Sequence, residues 1–166
     1  MIEFTQTVHN LIGSQDAVNQ LAAKDNARVL AISDSHGGYS VFSTIVRNFG
    51  SDCDALIFCG DGAGDLAKLI NEALADKALL KCIPPVIAFV QGNNDPSSYP
   101  VNAKLNLTCP QRQLLSVCGK NVLIVHGHRQ GVNFGFESLA FEAQMTESRF
   151  CVYGHTHISG EDYFGK

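Results

Sequence analysis

Seven residues of this chain carry the oxygen and nitrogen donors that hold divalent metal ions, and they come in an ordered series. Asp34 and His36 are first, then Asp61, Asn93 and His126, and finally His155 and His157. Each stands just past a short apolar run, as Asp34 does after Val29 to Ile32 and Asn93 after Val86 to Val90. Singly they are ordinary. Asp61 in Gly60-Asp61-Gly62-Ala63-Gly64 suits a turn, and a lone His36 or His126 suits a hydrogen-bonded surface or core site. The glycine-rich loop also lacks the Gly-Lys-Ser/Thr that completes a phosphate-cradling P-loop. Together, seven converging donors are too many for one tetrahedral ion. Two divalent ions sharing a carboxylate would use them all, and ions ~3.5–4 Å apart are a recurring device of phosphoester hydrolysis. Asp34 and Asp61 would bring two negative charges against four positive ones, so an occupied site is electropositive in a chain of formal net charge −4.

Donors so far apart in sequence meet only if the fold delivers them to one place. The runs Val29 to Ile32, Ala55 to Cys59 and Val86 to Val90 predict strands, and their continuous apolar character suits a sheet covered on both faces. Between them, Val41, Phe42, Ile45, Val46 and Phe49 form a helical stripe that stops at Gly50. A second stripe of Leu66, Leu69, Ile70, Ala73 and Leu74 has Asp65 placed to serve as its N-cap. Farther on, Gln113 to Val117 and Val122 to Val125 flank Cys118-Gly119-Lys120-Asn121 as a hairpin would. A helix carrying Phe136, Leu139, Ala140 and Ala143 and a last strand, Phe150 to Tyr153, complete the pattern. Strand and helix alternating, then hairpin-type strands, predict an α/β protein with mixed sheets. In open sheets of this class ligands bind outside the carboxyl ends of the strands, which is where the donors lie. The first 25 residues read as an N-terminal extension with one short helix after Ser14, on Ala17, Val18, Leu21 and Ala22. Residues 26–166 read as a single domain.

Composition bounds the partners. With 166 residues, 45% hydrophobic and 17% charged, the chain is globular rather than disordered. Twelve Lys and Arg against sixteen Asp and Glu, with no basic block, argue against long nucleic acid as a ligand and for a small substrate held locally. Nothing near Met1 to Asn10 resembles a signal peptide, and the longest apolar stretch, Ile83 to Val90, is far short of the ~20 residues that span a bilayer. Six cysteines without a C-x-x-C spacing predict reduced, buried thiols in a cytoplasmic protein. Tyr99, Phe134 and Phe136 are aromatic candidates for facing a substrate.

Five ordered blocks carry a family resemblance: Asp34-Ser35-His36, Gly60-Asp61, Gly92-Asn93-Asn94-Asp95, Val125-His126-Gly127-His128 and Gly154-His155-Thr156-His157. The chain resembles the calcineurin-like metallophosphoesterase superfamily, and within it the small YfcE-like phosphodiesterase branch. The resemblance implies an α/β fold of two mixed sheets packed as a sandwich flanked by helices, in four layers α/β/β/α. It implies one ion held by Asp34, His36, Asp61 and His157 and another by Asp61, Asn93, His126 and His155, with Asp61 as the bridge. It also implies hydrolysis of phosphodiester bonds by a hydroxide held between the ions. The mixture of carboxylate, amide and imidazole donors suits Mn²⁺, Fe²⁺, Zn²⁺ or Ni²⁺ without choosing among the four; Mn²⁺ is taken as the foremost of them.

Two departures from the superfamily pattern stand out. Many members have a histidine where Asn94 stands, and a neutral amide cannot protonate a leaving oxygen near neutral pH. His128, two residues past His126, is the candidate to take over that role, and Asp95 is a candidate to orient His128 or a metal-bound water. The chain also ends nine residues after His157, where relatives usually continue with one or two strands. Either the chain is a truncated product, or a sheet edge is left open for a partner or second copy to cover. The alternative activities are a phosphomonoesterase and a protein-interaction scaffold of the same fold, such as the retromer subunit Vps29; scaffolds typically lose metal donors, and all seven are present here.

Overall fold

The computed structural model describes residues 2–163. Three four-residue strands, β1 (Val29–Ile32), β2 (Ala55–Phe58) and β3 (Val86–Phe89), pair side by side in the order β1-β2-β3, all parallel. Alternate residues of a strand face opposite ways, and this alternation divides the core. Leu56, Phe58, Ile87 and Phe89 pack against helices α2 (Tyr39–Phe49), α3 (Ala63–Ala73) and α4 (Lys77–Cys82) through Phe42, Val46, Leu66, Leu69, Ile70 and Leu79. Ala55, Ile57, Val86 and Ala88 face the other way, onto Leu115, Val122 and Ile124 of a second sheet.

That second sheet contains β6 (Arg112–Val117), β7 (Lys120–Val125) and β8 (Ser148–Val152). A short antiparallel pair, β4 (Ser98–Pro100) and β5 (Asn106–Thr108), precedes it in the chain. Strand β7 pairs antiparallel with β6 and parallel with β8, so this sheet is the mixed one while the first is parallel throughout its three strands. Its outer face, Leu123 and Val125, is covered by Val132 and by Leu139 of helix α5 (Glu137–Met145). The layers are therefore helices, sheet, sheet, helix, the four-layer α/β/β/α arrangement.

Several local expectations are corrected. Asp65 is not an N-cap: α3 starts two residues earlier, at Ala63 after Gly62, which leaves Asp65 buried inside the first turn. The hairpin turn is tighter than Cys118 to Asn121 suggested. Only Cys118 and Gly119 lie between the strands, both with positive φ, 52° and 69°, as a two-residue turn matching the strand twist requires. Helix α4 and the pair β4-β5 have too few residues for a readable period. For α4 the cue is Asp76, whose carboxylate accepts from the N–H groups of Ala78 and Leu79. Of the six free cysteines, only Cys59 and Cys109 are buried.

Helix α1 (Gln15–Ala23) is capped by Ser14, as its pattern predicts. The segment before it is packed rather than loose. Ile12 exchanges backbone hydrogen bonds with Ile87, at 2.9 and 2.8 Å, and so lies along β3. Ile2 and Ile12 join the helix-side core. No helix among the described residues is long and apolar enough to cross a membrane.

Candidate metal centre

The strand ends supply the donors. Asp34 and His36 follow β1, Asp61 follows β2, Asn93 follows β3, His126 follows β7, and His155 and His157 follow β8. The first loops are stitched to one another: the Asp34 N–H donates to the Gly60 carbonyl at 3.0 Å and the His36 N–H to the Asp61 carbonyl at 2.9 Å. Within the second sheet, the ends of β7 and β8 are tied by the Gly154 N–H on the His126 carbonyl, 3.0 Å.

Backbone strain concentrates at this spot. Asp34, His36, Asp61, His155 and His157 all have φ between 45° and 72°, a region that costs non-glycine residues energy and persists only where the surroundings impose it. Glycine is needed beside them for close approach. A Cβ on Gly92 would collide with the Asp61 carboxylate, and one on Gly154 with Ser33 Oγ.

The donor atoms converge. Asp34 Oδ1 lies 3.3 Å from His157 Nε2, 3.7 Å from His36 Nε2 and 4.0 Å from His126 Nε2. Asp61 Oδ2 lies 3.8 Å from His36 Nε2 and 3.6 Å from His126 Nε2. The His36 and His157 Nε2 atoms are 3.2 Å apart, and Asn93 Oδ1 is 3.0 Å from His126 Nε2. Ligands ~2.1 Å from a common ion stand roughly 3.0–3.4 Å apart in right-angled to tetrahedral arrangements, so the closest of these spacings are those of donors sharing a cation. Both carboxylates stand at the junction between the His36 side and the His126 side. His155 is less central. Its N–H donates to Asp34 Oδ2 at 2.9 Å and its ring packs 5.0 Å from that of His126, but its nitrogens are outside the two converging groups.

Hydrogen bonding leaves acceptors facing acceptors, which is how an ion site differs from a polar network. Asp34 Oδ2 accepts from Ser33 Oγ and the His155 N–H, while Oδ1 is buried with no hydrogen-bond partner. His126 Nδ1 is 2.7 Å from the Cys59 carbonyl, which can only accept. A neutral ring therefore carries its proton on Nδ1 and turns a lone pair at Nε2 toward Asn93 Oδ1 and Asp61 Oδ2. Burial raises the proton affinity of Asp61, but the Asn94 hydrogen bonds and the neighbouring His126 and His36 outweigh it and hold the carboxyl below its usual range.

The three residues expected to assist catalysis surround this cluster. Asn94 donates its backbone N–H to Asp61 Oδ1 at 2.8 Å and its amide to Asp61 Oδ2 at 2.6 Å, so its side chain holds the carboxylate. Asp95 does not orient His128. Its two oxygens accept from the N–H groups of Asp61, Gly62, Ala63 and Gly92 at 2.7–3.0 Å, clamping the Asp61 loop to the Asn93 loop. His128 packs its ring 5.3 Å from His126 and 6.1 Å from His155, with a buried, unpartnered Nδ1. Burial first, and then the neighbouring His126, Arg129 and His155, lower its pKa from 6.5. Of the aromatic candidates, Tyr99 packs on the helix-side core and Phe136 on Tyr153, while Phe134 is exposed. A cavity of about 500 Å³, lined by Ala31, Asp34, Val152, Gly154 and His157 among others, opens beside the exposed histidines.

Residues 28–165 match the family model of the calcineurin-like phosphoesterase superfamily domain. The chain belongs to the calcineurin-like phosphoesterase superfamily. Among its relatives in that superfamily is the probable metallophosphoesterase YsnB of Bacillus subtilis (strain 168), 28% identical over 134 residues that make up 81% of this chain and 66% of that one. A solved structure from Streptococcus pneumoniae TIGR4, a conserved protein described as a predicted phosphoesterase, aligns with TM-score 0.55 and 27% identity over 79% of this chain and 63% of its own. Vacuolar protein sorting 29 from Cryptosporidium parvum shares the fold, with TM-score 0.57 and 19% identity over 83% of this chain and 68% of its own. The chain thus spans just under two thirds of the length of the first two. Within a chain of this superfamily, the Asp/His cluster is a candidate metal-binding site.

Sequence reasoning did not single out Ser33, whose hydroxyl holds Asp34, or the Cys59 carbonyl, which orients His126. A backbone carbonyl has no sequence signature. Ser33 sits one position before Asp34, where the next residue's partner is invisible without the turn.

Proposed function

We propose that the chain hydrolyses phosphodiesters of small substrates with two divalent ions, Mn²⁺ foremost, held by Asp34, His36, Asp61, Asn93, His126, His155 and His157. The observation that carries this reading is the buried, unpartnered Asp34 Oδ1 within 4.0 Å of the Nε2 atoms of His36, His126 and His157. When bound, such ions acidify water and neutralise phosphoryl oxygens. The residues do the rest. Asp95 and Asn94 hold Asp61 in place, the Cys59 carbonyl fixes the ring of His126, and Ser33 with the His155 N–H turns Asp34 Oδ1 inward. The new P–O bond forms from a water oxygen, the bond to the ester oxygen breaks, and that oxygen takes up a proton.

The diester preference rests on the leaving-group side. Asn94 spends its amide on Asp61, so no acid stands there. His128, whose pKa is lowered from its ordinary 6.5 chiefly by burial, suits donation of a hydrogen bond to a phosphoryl oxygen better than protonation of a poor leaving group. The six free thiols support a cytoplasmic setting, and burial pushes that of Cys109 up to about 11, which keeps it unreactive.

The test is turnover of bis(p-nitrophenyl) phosphate beside p-nitrophenyl phosphate by chelator-stripped protein reloaded with Mn²⁺, with Asp61→Asn as control. Metal-dependent diester cleavage lost in the control is the expected result. A folded, two-ion protein that turns over neither ester would overturn it in favour of the scaffold reading, and faster cleavage of the monoester would overturn the diester assignment. Replacing Asn94 by His should raise monoester relative to diester turnover; an unchanged ratio would locate the acid elsewhere.

A further inference from the structure

Asp65 has no place in the set of metal donors, yet it is only 7% exposed. Buried carboxylates are rare unless paired, and this one is spent on the two residues that flank His36. Its Oδ2 accepts from Ser35 Oγ at 2.5 Å and from the Gly37 N–H at 2.9 Å. His36 between them sits at φ 45° and Gly37 at φ 83°, and the turn is closed by the Gly38 N–H on the Ser35 carbonyl at 2.6 Å. A left-handed histidine does not hold that conformation by itself.

The anchors of this turn converge on one rigid piece. The His36 N–H donates to the Asp61 carbonyl, and Asp65 lies four residues past Asp61, inside the first turn of α3. Behind Asp65, α3 is buried through Leu66, Leu69 and Ile70. The loop before it is clamped by Asp95 on the N–H groups of Asp61, Gly62 and Ala63. The helix start thus carries both Asp61, a ligand, and the carboxylate that fixes the backbone of His36, another ligand. An anion in the first helical turn is also where the helix dipole favours it. The His36 side chain is 39% exposed and its ring packs on that of His157, 5.1 Å away, so the backbone turn is what brings the ring to the site.

We propose that Asp65 is a positioning residue for His36, holding the Ser35–Gly38 turn so that Nε2 faces Asp61 and His157, and that it thereby sets the affinity of one of the two ions, the one held by His36 and His157. This rests on the two-ion reading above. Asp65 does not touch the ion or the substrate; it acts through the strained turn. A purely structural role would lower the stability of the whole protein and weaken both ions alike.

The experiment is titration of Mn²⁺ alone into chelator-stripped full-length chain, resolving the two dissociation constants, with thermal melting of the metal-free protein alongside. In Asp65→Ala one constant should weaken by about 10–100-fold, the range for losing a group that orients a ligand, and the other should stay unchanged. The weakened constant should be the one that His157→Ala also weakens. Ser35→Ala, which leaves the Gly37 hydrogen bond, should shift the same constant by less. Should Asp65→Ala fail to fold, Asp65→Asn, which keeps an acceptor oxygen at the same reach, and Ser35→Ala carry the reading. Equal weakening of both constants, or two unchanged constants in a folded variant, would overturn the role of Asp65. A wild-type chain that binds fewer than two ions would instead overturn the two-ion reading itself.

Discussion

The two sides of the metal centre are built differently. On one, the side chains of His126 and Asp61 are 0% and 2% exposed, each held from behind by the Cys59 carbonyl or by Asn94. On the other, His36 and His157 are 39% and 60% exposed and meet at 3.2 Å beside a cavity. Burial lets hydrogen bonds fix a ligand before any ion arrives, because orientation is settled with the fold. An exposed ligand keeps rotamer freedom that binding must remove, and water competes for its ion. On the two-ion reading, the difference predicts a deep side that binds its ion more tightly and an open side that exchanges its ion more readily.

Four predictions break or sharpen that contrast. The largest effect is expected for His126→Ala, which removes a buried ring and strands the Cys59 carbonyl. Metal-free stability should fall by at least about 3 kcal/mol by denaturant unfolding, with loss of the tighter ion. His157→Ala should leave stability within about 0.5 kcal/mol and weaken one ion only. Equal destabilisation by the two would erase the distinction. Next comes Asp95→Asn: whichever oxygen is replaced, an NH₂ group then faces two backbone N–H donors, at a cost of about 2–3 kcal/mol, again read by unfolding. Gly92→Ala pushes a methyl into Asp61 and should cost about 1–3 kcal/mol while weakening both ions, since Asp61 reaches both histidine groups.

A small effect outside both sides serves as their reference. The Lys24 ammonium and the Arg28 N–H hold the Asp54 carboxyl below 3.8. Its contribution, about 0.5–1 kcal/mol, is complete above pH 3.8 and is lost as pH falls through the lower folded value. Asp54→Asn should therefore lower stability at pH 7 and leave it unchanged near pH 2. A difference that persists at pH 2 would show a packing defect instead.

Much of this was legible in the chain. Continuous apolar runs could only be strands covered on both faces, and the structure covers β2 and β3 with helices on one side and a sheet on the other. The ligand types stand at strand ends because a parallel arrangement brings those ends together. Short elements were not legible. Six residues of α4 span under two turns, too few for a period to show, and β4 and β5 have three residues each. Asp65 was misread because an aspartate ahead of an apolar stripe usually caps it; here the helix starts earlier, and the carboxylate serves a loop thirty residues away in sequence.

The sequence by itself determined the alternation of strands and helices, where donor types stand and the class of ion they suit, because hydrophobic period and ligand chemistry are local properties of residues; the layer order came only as what the family resemblance implies. Only the tertiary structure decided which donors are buried, which carboxylate oxygen is left without a partner, and that Asp65 and Asp95 brace the ligand loops. Those depend on backbone carbonyls and N–H groups that every residue possesses, so nothing in the letters marks them until folding brings two distant loops within hydrogen-bond reach.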